Sequence, residues 1–225
     1  MCGRYSLQTP ADILAKQFHL AKVPSISPRY NIAPAQPIAI VRIPAPPDDR
    51  VCVLVRWGLL PSWAKDPSIG NRLIIARAET VSEKPAFKGP FARSRCLIPA
   101  DGYYEWQRED RLGRRKQPFY IRLRDGCPFA FAGLWERWTG PDEKAIESCA
   151  ILTTEPNESL KAIHDRMPVL LDHKDYDRWL DPYIRQTELL QLLLRAYPDE
   201  ELTAYPVSLR VNDPSHDDAG CIEPL

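Results

Sequence analysis

The chain has 225 residues, 30 Lys or Arg balanced by 30 Asp or Glu, and an apolar fraction of 44%. That length and apolar content suit a single domain, residues 2–225, with a real core, while zero formal charge supplies no compositional argument for a nucleic-acid partner. No apolar run approaches the roughly 18 residues of a membrane span and no leader-like apolar segment is seen. The six cysteines (2, 52, 96, 127, 149 and 221) lack C-x-x-C or zinc-type spacing, so reduced thiols, a cytoplasmic setting and no metal are expected.

In chain order, Thr9-Pro10-Ala11-Asp12 predicts a helix start, with Thr9 as cap, and Ile13, Leu14 and Phe18 on one face. Proline and asparagine mark Arg29-Tyr30-Asn31-Ile32-Ala33-Pro34 as a loop. The β-rich runs Ile38 to Ile43 and Val51 to Trp57, separated by Pro44 to Asp49, read as a hairpin. Further strands are expected at Leu73 to Arg77, Arg95 to Ile98, Phe119 to Leu123, Phe129 to Gly133 and Ser148 to Thr153. Helices follow at Glu155 to Ile163, His173 to Leu180 and Glu188 to Ala196, each after a capping residue. Strands in the middle with helices at the ends argue for an α+β fold around a strongly twisted, barrel-like, mostly antiparallel sheet with peripheral helices. The 23 prolines imply long, stiff connections.

Charge is uneven along the chain. From Lys84 to Arg124 eleven Lys or Arg face four acids, whereas from Asp199 onward seven acids face Arg210 alone. A charged groove and a solvated face both fit that count.

Four clusters have a composition unlike pure core. Cys2, in Met1-Cys2-Gly3-Arg4, becomes terminal once the methionine is removed, and its amine and thiol on adjacent carbons can then close a thiazolidine ring on an aldehyde. Arg77 and Glu79 leave the apolar run Leu73 to Ala76 as a salt bridge or a phosphate clamp. Glu105, within Asp101-Gly102-Tyr103-Tyr104-Glu105-Trp106, is either a solvent-facing carboxylate or a desolvated general base. His164, in His164-Asp165-Arg166-Met167-Pro168, is either a helix-terminal cap or a general acid beside an arginine. Trp57, Trp63 and Trp106 interleave with arginines as core packing or as stacking faces of a single-strand groove.

Taken together, MCGRY, RYNIAP, RWGLLPSWA, ARAET, CLIPADGYYEW, IHDRMPVLL and YPVSLRVN resemble the SRAP family of abasic-site processing proteins, in matching order over the whole chain. The resemblance implies a monomeric single domain in which Cys2 forms a thiazolidine crosslink with the aldehyde of an abasic site in single-stranded DNA. It implies Glu105 as the acid/base and His164 as the group that promotes sugar-ring opening. Arg4, Asn31, Arg77 and Arg166 are then expected at phosphates, and Trp57 and Trp63 along the bent strand. It further implies thiol-dependent removal of the protein's own leading residue, nucleoid association and no cofactor. A cysteine peptidase and a non-covalent single-strand binding module remain the alternative readings. One departure stands out: Ile75 occupies the position where an asparagine is usual, and isoleucine offers no donor or acceptor.

Overall fold

Thirteen short strands carry most of the regular structure of this computed structural model, which describes residues 2–44, 49–110 and 114–225. In chain order they are β1 (Tyr5–Leu7), β2 (Arg29–Ile32), β3 (Pro37–Arg42), β4 (Val51–Trp57), β5 (Ile75–Arg77), β6 (Arg95–Ala100) and β7 (Gly102–Arg108). There follow β8 (Lys116–Leu123), β9 (Phe129–Thr139), β10 (Ala145–Thr154), β11 (Met167–Pro168), β12 (Leu170–Leu171) and β13 (Leu202–Pro206). The helices are short: α1 (Ala11–Gln17), α2 (Lys88–Arg93), α3 (Tyr176–Leu180) and α4 (Thr187–Gln191).

Five strands close on themselves. β3 pairs with β4 and β6, β6 with β9, β9 with β10, and β10 returns to β4 in parallel, so four of the five pairings are antiparallel. The expected barrel-like α+β architecture is therefore what forms. β9 is longer than its apolar run predicts because it serves two neighbours in succession: Phe129–Leu134 pair with β6 and Gly133–Thr139 with β10. Gly133 stands at the crossover, where a Cβ would meet the Cys96 sulfur and Ile98 Cδ1 at 2.8 Å, so a bare backbone is what lets the strand turn from one partner to the next. Ile40, Leu97, Phe131 and Ile151 are fully buried in this core.

A second sheet, in the order β13-β8-β7-β1-β2, leans on the barrel. The chain passes from β6 to β7 through Asp101, so one stretch, Arg95 to Arg108, belongs to both sheets. The hairpin of β3 and β4 forms as expected, with Ile38 opposite Val55 and Val41 opposite Cys52; the turn residues 45–48 lie outside the described residues.

Several expectations are corrected. The segment read as a loop at Arg29 to Ile32 is β2, an edge strand on β1. Glu155 to Ile163 forms turns in place of a helix: Asn157 spends its side chain on Leu160 N (3.1 Å) and Tyr197 O (2.9 Å), and a single turn's hydrogen bonds do not propagate. The last helix stops at Gln191, with Leu190 fully buried but Leu192 66% exposed. Pro10, not Thr9, caps α1, because the Thr9 hydroxyl is engaged by Asp101.

Candidate active site

Alternation along β7 sends Tyr103 and Glu105 to one face, and both are buried. β1 runs antiparallel beside it, with Tyr5 opposite Tyr103, Ser6 opposite Gly102, and Tyr104 N donating to Arg4 O at 3.0 Å. Continuing that register brings Gly3 opposite Glu105, with Cys2 next, fully buried. Met1 lies outside the described residues. Burial is the main reason that the Glu105 carboxyl is pushed up to about 7. Burial likewise raises the Cys2 thiol well above its ordinary value, with the charge of Glu105 the next cause. Neither group is in its usual ionisation range, and the two sense each other.

His164 completes the group, its Nε2 lying 3.8 Å from Glu105 Oε2. His164 Nδ1 faces both the Arg166 N–H at 3.0 Å and the Arg166 carbonyl at 3.2 Å, so it finds a backbone partner in either tautomer while Nε2 points toward Glu105. Asp165 Oδ1 stands 3.1 Å from the same Nδ1, ready for the charged ring. Desolvation nevertheless holds the imidazole below its ordinary pKa. The expected helix end is absent at this position, so the histidine is placed by these contacts and not by a helix dipole. A half-titrating buried carboxyl beside a neutral imidazole is an arrangement that hands protons on near neutral pH.

The far end of β1 is pinned as well. Asp101 accepts from Gln8 N (2.5 Å), Thr9 N (2.9 Å) and Thr9 Oγ1 (2.5 Å), so β1 is fastened to the bend between β6 and β7.

Arg4 and Asn31 form one network. Arg4 Nη1 donates to Asn31 Oδ1 (2.9 Å) and Val211 O (2.6 Å), and Nη2 to Asn212 O (3.2 Å). The Asn31 amide donates to Val211 O (3.2 Å), Asp213 O (3.1 Å) and His216 O (2.7 Å). Asn31 has no exposed surface, which corrects its expected place at a phosphate: its side chain holds the C-terminal segment instead.

Trp57 is corrected in the same way. It is fully buried, edge-on to Tyr5 at 5.5 Å between ring centres, with Nε1 donating to Ile74 O at 2.9 Å, so it is core and not a strand-facing surface. Trp63 is 57% exposed and borders an apolar cleft of about 560 Å³ together with Leu73, Ile75, Arg77 and Phe87, while Arg72 and Lys84 add positive charge to its rim. On β5, Ile75 and Arg77 face this cleft while Ala76 points inward, fully out of solvent. Glu79 does not pair with Arg77; its two carboxylate oxygens meet Arg166 Nη1 and Nη2 at 2.8 and 2.9 Å, and Nη2 also donates to Thr153 O at 2.7 Å.

Sequence reading overlooked two partners, Glu79 for Arg166 and Asp217 for Arg29 and β2. The acidic run near the C-terminus was the only signal of the second, and it registered as charge alone. All six cysteines are free, and among the described residues no cluster of three or more His, Cys, Asp or Glu forms a metal site. Nor is any helix among them long and apolar enough to cross a membrane.

Residues 1–214 match the family profile described as SOS response associated peptidase (SRAP). The chain is 43% identical over 226 residues to the abasic site processing protein YoaM of Bacillus subtilis, covering 99% of this chain and 98% of that one. It is 30% identical over 272 residues to the abasic site processing protein HMCES of Mus musculus, covering all of this chain and 76% of the other. Among solved structures, a Bacteroides thetaiotaomicron protein superposes with a TM-score of 0.87 at 26% identity over the full length of both chains.

Proposed function

The chain belongs to the SRAP family, and from that membership we propose that it processes abasic sites in single-stranded DNA by covalent capture through Cys2, exposed as the terminal residue when Met1 is removed. The abasic sugar opens to its C1′ aldehyde. The α-amine of Cys2 adds to that carbon, and loss of one water gives a Schiff base. The Cys2 sulfur then adds across the carbon–nitrogen double bond while the thiol proton passes to nitrogen, so one water leaves and no oxidant is consumed.

In this reading Glu105 carries protons to and from the condensing groups, and His164 assists opening of the sugar ring. The observation that supports it best is the burial of Cys2 beside Glu105, with His164 Nε2 3.8 Å from the same carboxylate. A thiol whose pKa is raised by burial is a poor first nucleophile, which favours attack by the amine. Arg77 and Trp63 supply the exposed cation and stacking face for the strand, and Arg166 joins them when Glu79 yields. Arg4 acts from behind, through the C-terminal segment. On this reading the protein works as a monomer, in the cytoplasm and at the nucleoid. Removal of its own leading residue is the accompanying peptidase-type step.

The test is incubation with single-stranded oligonucleotides, with and without an abasic site, followed by a denaturing gel. A covalent band that requires both the lesion and Cys2 is expected. Equal bands from the wild type and Cys2→Ala would overturn the reading, and cleavage of an added protein substrate without any band would favour a peptidase.

A further inference from the structure

The segment 208–221 holds two short 3-10 turns, Leu209–Asn212 and Ala219–Cys221, and is gripped from three directions. Asp217 Oδ1 accepts the backbone N–H of Tyr30 (2.5 Å) and of Asn31 (2.8 Å), and its Oδ2 meets the Arg29 guanidinium. Those two N–H groups lie on β2, the edge strand of the second sheet, where among the described residues no further strand accepts them. Asn31 and Arg4 then hold four carbonyls of the segment between them: Val211 O accepts from both, Asp213 O and His216 O from Asn31, and Asn212 O from Arg4. Trp106 Nε1 adds a bond to Asn212 Oδ1 at 2.7 Å. Cys221 is fully buried at the end of the same segment. Arg4 is two residues from Cys2, and its carbonyl accepts from Tyr104, the residue before Glu105.

We infer that Asp217 is a positioning residue: by fixing the segment 208–221 to β2, it makes the Asn31 and Arg4 network rigid and so holds Cys2 in register with Glu105. Charge-assisted bonds to two backbone amides and a guanidinium suit a carboxylate to that task. The neighbouring Asp218 offers the natural control. It pairs with Arg210 at 2.6 Å on the solvent side of the same segment, where water screens the pair, accepts Gly220 N at 3.1 Å in the turn that carries Cys221, and touches neither Asn31 nor Arg4.

The kinetic half of the test rests on the function proposed above; the labelling half does not. Native protein is treated with iodoacetamide and each cysteine-bearing peptide is quantified by mass spectrometry. In Asp217→Asn, labelling of Cys2 and Cys221 rises together by about fivefold or more, while Cys96 and Cys149, fully buried in the barrel, label at the wild-type rate and report that the fold is intact. Asp218→Asn leaves Cys2, Cys96 and Cys149 unchanged. In single-turnover crosslinking at saturating abasic oligonucleotide, Asp217→Asn lowers the rate constant about tenfold at undiminished amplitude, whereas a merely structural role would lower the amplitude and spare the rate constant. Unchanged Cys2 labelling in a folded Asp217→Asn protein overturns the inference, and so does loss of amplitude alone. If Cys96 and Cys149 also become reactive, Asp217→Glu, which keeps the charge but displaces it, is held to the same criteria. A wild type that forms no crosslink would refute the proposed chemistry while leaving the labelling result to decide the lock.

Discussion

Both terminal nitrogens of Arg166 are held by a single carboxylate, that of Glu79, at 2.8 and 2.9 Å. This two-pronged geometry is also the one in which guanidinium binds phosphate, so under the proposed function an anion from DNA would reach Arg166 by exchange with Glu79. On that reading Glu79 sets how readily the protein binds DNA that carries no lesion.

Glu79→Gln is expected to tighten binding to lesion-free single-stranded DNA severalfold. Arg77→Ala is expected to weaken binding to DNA of every sequence and to reduce the salt slope by about one counterion. Fluorescence anisotropy titrations across a range of salt read both effects. Weaker binding by a folded Glu79→Gln protein would show that the pair organises the site and does not restrain it.

Ionisation of Glu105 links chemistry to stability. Its folded-state pKa, about 7, lies above the ordinary 4.5, so the native state retains a proton that the unfolded chain has released between those values. The resulting contribution favours folding at low pH and is lost as pH rises through about 7. Glu105→Gln has no such dependence. Its stability relative to wild type should therefore improve between pH 5 and pH 8, by up to about 3 kcal/mol, in paired urea unfolding curves. The same substitution should remove an inflection near pH 7 from the crosslinking rate. A constant stability difference across that range would show that Glu105 titrates normally.

Ile75 faces the Trp63 cleft and not the core, so Ile75→Asn should fold with a melting temperature close to wild type. An amide there can donate to groups at the lesion, and a bond that forms in the transition state is worth about 1–3 kcal/mol, or a gain of roughly tenfold in crosslinking rate. An unchanged rate in the folded variant would remove this position from the chemistry.

The two tryptophans should separate cleanly. Trp57→Ala opens a cavity in the core and should cost about 3–5 kcal/mol of stability. Trp63→Ala should change stability by less than about 0.5 kcal/mol while lowering single-strand affinity, since base stacking on an aromatic is worth about 1–3 kcal/mol. Loss of stability without loss of binding in Trp63→Ala would place the strand elsewhere.

What could be read from sequence was whatever side-chain pattern alone encodes. The hairpin of β3 and β4 follows from two β-rich runs parted by a proline-rich turn, whereas β7 is not among the expected strands and a desolvated Glu105 is only one of the two readings its aromatic neighbours allow. Trp57 and Trp63 could not be told apart by residue type, because burial is decided by which strand each one faces. Asn31 was misread because its partners are carbonyl oxygens about 180 residues away, and carbonyls belong to every residue and mark none. Glu79 was given to the nearby Arg77 because a distant arginine at position 166 is visible only once β5 and β10 lie side by side.

The lock on β1 has a consequence for synthesis. Cys2 leaves the ribosome first, whereas Val211, Asp213 and His216, whose carbonyls anchor its neighbours, are among the last residues made. At about 5–20 residues per second the interval between them is on the order of 10–40 s. Under the proposed chemistry the leading methionine is removed by the protein's own peptidase-type step, which needs Cys2 buried beside Glu105, and the chain reaches that arrangement only after these last carbonyls have been made. Maturation therefore follows folding, and a chain cut short before Val211 would keep its first residue and stay in the unreactive form.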